Sequence, residues 1–167
     1  GELERYTALE GYGGHELVGV AEVASWLDDH RPRRWEPGIL HGDYHFANLM
    51  YRWDGPEVAA IVDWEMCTIG DPLLDLGWLL APGAGPTSRV ADTPAPDELV
   101  AAYASASTRD LSAIDWYRVM ACFKLGIVLE GTHARACAGL APRSTGDLLH
   151  AMAEGLFAQA LDLVRDR

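Results

Sequence analysis

The sequence predicts an α+β chain, mostly α: a helical bundle with one small β-hairpin. Two observations carry this. Ser112-x-x-Asp115 reads as a capping box that opens a long helix reaching about Ala138, and a last helix follows over Asp147 to Val164. Earlier, Trp53-Asp54-Gly55-Pro56 separates two apolar runs, Asn48 to Trp53 and Glu57 to Asp63. An Asp-Gly pair between such runs is a strong hairpin signal.

The remaining elements fall around these. Glu2 to Glu10 predicts a short helix, broken by Gly11-Tyr12-Gly13-Gly14. That glycine cluster does not complete G-x-G-x-x-G, because Glu16 stands where the third glycine belongs, so it reads as a loop. Glu16 to Asp29 predicts a helix with Leu17, Val20, Val23, Ala24 and Leu27 on one face, ended by Pro32 and Pro37-Gly38. Ile39-Leu40-His41 is extended. Gly70-Asp71-Pro72 reads as a helix start, with Asp71 as N-cap and Pro72 first in a helix that runs to Leu80. Residues 81–96 form a loop by composition, and Asp97 to Ala106 a helix. The stretch from Trp116 to Leu125 is apolar nearly all round, as in a buried helix, and Gly126 and Gly131 on it suggest close neighbours.

At 167 residues the chain is one domain with a real core, and 49% hydrophobic content is ordinary. A net charge of −12 argues against nucleic acid as partner. No apolar run reaches the ~18 residues of a membrane span, so no membrane association is expected. Cys67, Cys122 and Cys137 make no metal-type pair and read as free thiols in a reducing cytoplasm. The six tryptophans read as core or groove walls. The chain opens at Gly1 without an initiator Met and is expected to be a piece of a larger protein.

The chemistry concentrates in Leu40-His41-Gly42-Asp43-Tyr44-His45-Phe46-Ala47-Asn48-Leu49 and Ile61-Val62-Asp63-Trp64-Glu65. An Asp, an Asn five residues on and a second Asp after an apolar run suit phosphoryl transfer. The first carboxylate takes the acceptor hydroxyl's proton; the amide and second carboxylate offer oxygens to Mg²⁺. The hairpin folds Asn48 and Asp63 together, so both can share one metal. Glu65, two positions from Asp63 on a strand-like segment, would point the same way and support the ion. His41 reads as a residue orienting the loop or as part of the chemistry, and His45 as facing the acceptor or solvent. Asp75, in the first turn of an apolar helix, would be satisfied by backbone amides of the catalytic loop. Glu130, His133 and Arg135 read first as structural pairs, with Glu130 a substrate-binding candidate.

His41-Gly42-Asp43 with Asn48, Asp63-Trp64-Glu65 and Gly70-Asp71-Pro72-Leu73-Leu74-Asp75 resemble the aminoglycoside phosphotransferase and choline kinase-like family. Phe123-Lys124-Leu125 through Leu129-Glu130-Gly131 resembles its branch fused to acyl-CoA dehydrogenases. The resemblance implies a protein-kinase-like fold, ATP and Mg²⁺ as cofactors, and a small-molecule hydroxyl as acceptor. It also implies Asp43 as base, Asn48 and Asp63 as metal ligands, and Asp75 bracing the loop. Phe46-Ala47 replaces the Pro-Gly usual before the Asn. Residues 1–167 resemble the family's carboxy-terminal lobe alone: the amino-terminal lobe with its phosphate-gripping lysine is missing, and Lys124 is the single lysine. Little activity is therefore expected of this chain alone, and its interlobe face is a candidate for self-association. Two alternatives remain open: a metal-dependent hydrolase built on His41, Asp43, His45 and Asp63, and a non-catalytic binding lobe.

Overall fold

The computed structural model describes residues 17–81 and 94–166. In order come α1 (Val20–Asp29), β1 (Gly38–Leu40), a 3-10 turn (Phe46–Asn48), β2 (Leu49–Tyr51) and β3 (Val58–Ile61). A second 3-10 turn (Trp64–Met66), β4 (Thr68–Gly70), α2 (Leu73–Leu80), α3 (Pro96–Ala106), α4 (Ile114–Cys137) and α5 (Arg143–Arg165) follow. The mostly helical α+β class is as the sequence predicts. The expected Glu2 to Glu10 helix and the Gly11–Gly14 turn lie outside the described residues, as does most of the 81–96 loop. The described chain forms two compact units, one of residues 17–31 with 119–166 and the other of residues 32–118.

The first unit is helical. Val23 and Leu27 of α1, Phe123 and Ile127 of α4, and Leu156, Phe157 and Leu161 of α5 are buried. Phe123 and Phe157 meet edge to face at 5.8 Å. Helix α1 starts four residues later than predicted because Gly19 adopts a left-handed conformation (φ 88°), and a side chain there would run into Leu161. Helix α5 starts earlier than predicted, directly after Pro142, because buried Gly146 brings its first turn against Ala136 of α4. Gly126 has the expected close neighbour, with a methyl there 2.5 Å from the Phe157 ring, but Gly131 faces open space.

The second unit holds two small antiparallel sheets rather than one hairpin. Strand β2 pairs with β3 in the register Leu49–Ile61, Met50–Ala60 and Tyr51–Val58, with an irregularity after Met50. Strand β1 pairs with β4, Ile39 opposite Ile69. These strands are half-stripped of cover: Ile39, Ile69, Met50 and Val58 are all exposed. Trp53, at the hairpin tip, is 96% exposed and so no core residue, unlike buried Trp78. The core of this unit is Leu73, Leu76 and Leu80 of α2 packed on Tyr117, with Leu99, Val100 and Tyr103 of α3 around them. Helix α2 begins at Leu73, just after Pro72, and Asp71 still caps it: its Oδ1 accepts the Leu73 amide at 3.0 Å.

Candidate active site

The site lies in the second unit and is built on the loop between β1 and β2. At its entry Gly42 takes φ 87°, and a methyl there would sit 2.5 Å from the Met66 carbonyl oxygen. Only glycine allows both the turn and that approach. Helix α2 fixes the same point. Asp75 accepts the His41 amide at 2.6 Å and the Gly42 amide at 3.0 Å, which satisfies a carboxylate otherwise set among leucines.

His41 is 2% exposed, and both its ring nitrogens are taken by backbone. Nε2 donates to the Val62 carbonyl at 2.8 Å, and Nδ1 accepts the Asp43 amide at 3.3 Å. The ring thus ties the loop to the exit of β3, with Trp64 against it at 4.8 Å. This corrects the reading of His41 as catalytic, since neither nitrogen is left for a substrate. The hydrolase reading loses its first ligand for the same reason. Among the described residues, His41, Asp43, His45 and Asp63 do not gather three metal-binding atoms.

Asp43 follows the turn with 31% of its side chain exposed. Asn48, closing the 3-10 turn, donates through Nδ2 to the Asp43 carbonyl at 2.9 Å and to its carboxylate at 3.3 Å. Because both partners are acceptors, the amide nitrogen must face them, and the Asn48 oxygen points the other way. Its backbone carbonyl accepts the Val62 amide at 3.0 Å, so the pairing that starts the hairpin sets Asn48 beside the residue preceding Asp63. Asp63 itself is exposed and left-handed (φ 66°, ψ 56°), a conformation that Asp tolerates better than most residues. One neutral and one anionic oxygen suit a hard cation such as Mg²⁺.

Two further candidates sit differently from expectation. Glu65 lies in the Trp64–Met66 3-10 turn, not on a strand, so period-two alternation does not align it with Asp63. His45 Nε2 is 3.4 Å from the Asp43 carboxylate, while its Nδ1 is buried without a partner. Glu130 belongs to the other unit. It is 3% exposed and paired with His150 at 2.8 Å, which removes it as a substrate-contacting group.

The sequence reading missed a second polar network under the loop. Asp71 Oδ2 accepts the Tyr117 hydroxyl at 3.0 Å and the Glu36 amide at 3.3 Å, and Arg109 donates to the Glu36 carbonyl at 2.8 Å. Burial and the Asp71 carboxylate push the Tyr117 phenol well above its ordinary range. Burial and the Asp75 charge also raise Tyr44. The Asp71-Pro72 helix start was the only visible signal, because Tyr117 sits inside an apolar run that reads as plain core.

The model of the phosphotransferase enzyme family matches residues 3–121, and the chain belongs to that family. It is 27% identical over 155 residues to mouse acyl-CoA dehydrogenase family member 10, covering 83% of this chain and 14% of that protein. Against chicken acyl-CoA dehydrogenase family member 11 it is 24% identical over 164 residues, covering 89% of this chain and 21% of that protein. The chain therefore spans a small part of these relatives. A crystal structure of a proposed aminoglycoside phosphotransferase from Ralstonia eutropha JMP134 shares the fold, with a TM-score of 0.77 and 24% identity. The match covers 96% of this chain and 54% of that one. Among the described residues no helix is long and apolar enough to cross a membrane.

Proposed function

We propose that this chain carries the catalytic loop of an ATP-dependent kinase acting on a small-molecule hydroxyl. The observation that supports it most is the Asn48 amide held on Asp43 while its backbone pairs with Val62, next to Asp63. Asp43 orients the acceptor hydroxyl and takes its proton as that oxygen bonds the γ-phosphorus of ATP and the bond from this phosphorus to the β,γ-bridging oxygen breaks, releasing ADP. Asn48 and Asp63 would hold Mg²⁺, which supplies charge neutralisation on the transferring phosphoryl group. Asp75 and His41 keep the loop in place, and His45 steadies the Asp43 carboxylate from the side. Residues 1–167 act as the substrate-side lobe. They contain one lysine, Lys124, which comes after the loop, so phosphate gripping falls to chain outside them and these residues alone turn over little.

For the acceptor, the names of the relatives favour a hydroxyacyl thioester over an aminoglycoside or a choline-like amine. The test is a nucleotide-consumption screen of the complete protein against those three classes. Turnover with a hydroxyacyl-CoA compound, abolished by Asp43→Asn, is the expected result. No ATP consumption with any acceptor, or an Asp43→Asn variant as active as the parent, would refute the proposal. The exposed β1–β4 face, with Ile39 and Ile69 at its centre, is proposed as a self-association surface. A clean monomer in sedimentation at high concentration would remove it.

A further inference from the structure

In the helical unit, polar side chains meet where an apolar seam is expected. Helix α4 contributes Glu130, His133 and Cys137, and α5 contributes Asp147, His150 and Glu154. The spacings of three and four residues set each trio along one face of its helix. Glu130 is 3% exposed and His133 2% exposed. Burying such groups is costly unless something compensates them.

The local geometry compensates them only in part. His150 Nδ1 lies 2.8 Å from the Glu130 carboxylate, and the His133 and His150 rings stack at 4.4 Å, 25° from parallel. His133 Nε2 lies 3.5 Å from the Cys137 sulfur. Its Nδ1 is buried with no hydrogen-bond partner, and the nearest carboxylate, Asp147, is 3.8 Å away. One donor atom each from Glu130, His133 and His150 lies within 4.8 Å of the others.

From this we infer a site for a borderline-soft divalent cation, with zinc the best match, held by Glu130, His133 and His150. Two imidazoles and a carboxylate are an established zinc donor set, whereas Mg²⁺ and Ca²⁺ select oxygen. An ion there gives the free His133 nitrogen a partner. It also sets a cation against the Glu130 carboxylate, which His150 meets at 2.8 Å. With Nε2 donating to Cys137, the His133 ring has the outer hydrogen bond that commonly orients a metal-binding histidine. Asp147, 3.8 Å from His133 Nδ1, is held outside the trio by Arg143 at 3.0 Å. The ion would clamp α4 to α5 beside Gly146, where an added methyl would run into Ala136 and stand 3.6 Å from His133 Nδ1. This inference does not depend on the proposed kinase activity.

The test uses the full 167-residue chain and Zn²⁺ alone, titrated against a chromophoric chelator. One equivalent is expected to bind and to raise the melting temperature, while millimolar Mg²⁺ does neither. Glu130→Gln and His150→Gln should each weaken binding at least about tenfold. His45→Gln, in the catalytic loop, should leave it unchanged. If the helix variants fail to fold, Co²⁺ in the unaltered chain decides the matter: anomalous density between Glu130, His133 and His150 supports the site. Absence of stoichiometric Zn²⁺ binding overturns it, as does binding lost in His45→Gln or anomalous density elsewhere.

Discussion

The carboxylate of Asp75 holds the backbone amide of His41 at 2.6 Å, and its second oxygen takes the next amide, that of Gly42, at 3.0 Å. Two successive amides on one carboxylate fix both the position and the direction of the chain as it enters the Asp43 loop. An asparagine would keep one acceptor and turn its amide protons toward the other backbone donor. Asp75→Asn should therefore cost about 1.5–3 kcal/mol, the range for hydrogen bonds to a charged group. Turnover of the complete protein should fall further than acceptor affinity, because the loop's geometry is lost rather than a substrate contact. Urea melts and steady-state kinetics check this, and a variant with parental midpoint and kcat would contradict it.

His41 separates a structural from a chemical role. Replacing it by leucine leaves the Val62 carbonyl and the Asp43 amide unpaired in a closed space, at about 1–3 kcal/mol for each. The His41→Leu protein should melt lower and work more slowly, but its pH–rate profile should keep the parental shape. Loss of one limb of that profile, with stability intact, would return His41 to the reacting groups.

Two glycines mark places where backbone meets backbone. Gly42 combines a left-handed conformation with the Met66 carbonyl 2.5 Å from any added methyl. Gly77 of α2 would set its methyl 2.5 Å from the Tyr117 carbonyl oxygen. Neither neighbour can rotate away as a side chain would. Gly42→Ala and Gly77→Ala should each destabilise the chain by about 1–3 kcal/mol. Gly131→Ala serves as control, since nothing lies within 4 Å of its added methyl and alanine favours a helix. Its thermal midpoint should equal or exceed the parent's.

These contacts show what was legible in the sequence. The Asp54-Gly55 turn announced the β2–β3 pairing, and with it the approach of Asn48 to the Asp63 segment, because hairpin register follows from a short loop. The lone carboxylate Asp75 in an apolar helix announced that it needed donors. The β1–β4 pairing was not legible: Thr68–Gly70 has too few residues to show an alternation, and its partner lies some thirty residues upstream. Glu65 was misread for a related reason, since a single left-handed residue, Asp63, diverts the chain from strand into a 3-10 turn. The roles of His41 and Tyr117 depended on hydrogen bonds across the fold, which spacing along the chain does not encode.

The Tyr117 network carries a pH dependence with a definite sign. Burial, together with the bond to Asp71, holds this phenol protonated above its ordinary value of about 10. In the unfolded chain the phenol ionises near that ordinary value, so above it the folded state binds more protons than the unfolded one. The stabilisation is complete below pH about 10 and is lost progressively as the pH rises toward the folded-state value. Tyr117→Phe removes both the bond and the proton. It should lower stability at neutral pH by about 0.5–1.5 kcal/mol, with the range extending upward because Asp71 is charged. It should also flatten the fall in stability at alkaline pH, leaving only the contribution of Tyr44 and the other titrating groups. Urea midpoints from pH 7 to 11 measure both effects. Parallel curves for parent and variant would mean that the Tyr117–Asp71 bond does not set the alkaline limb.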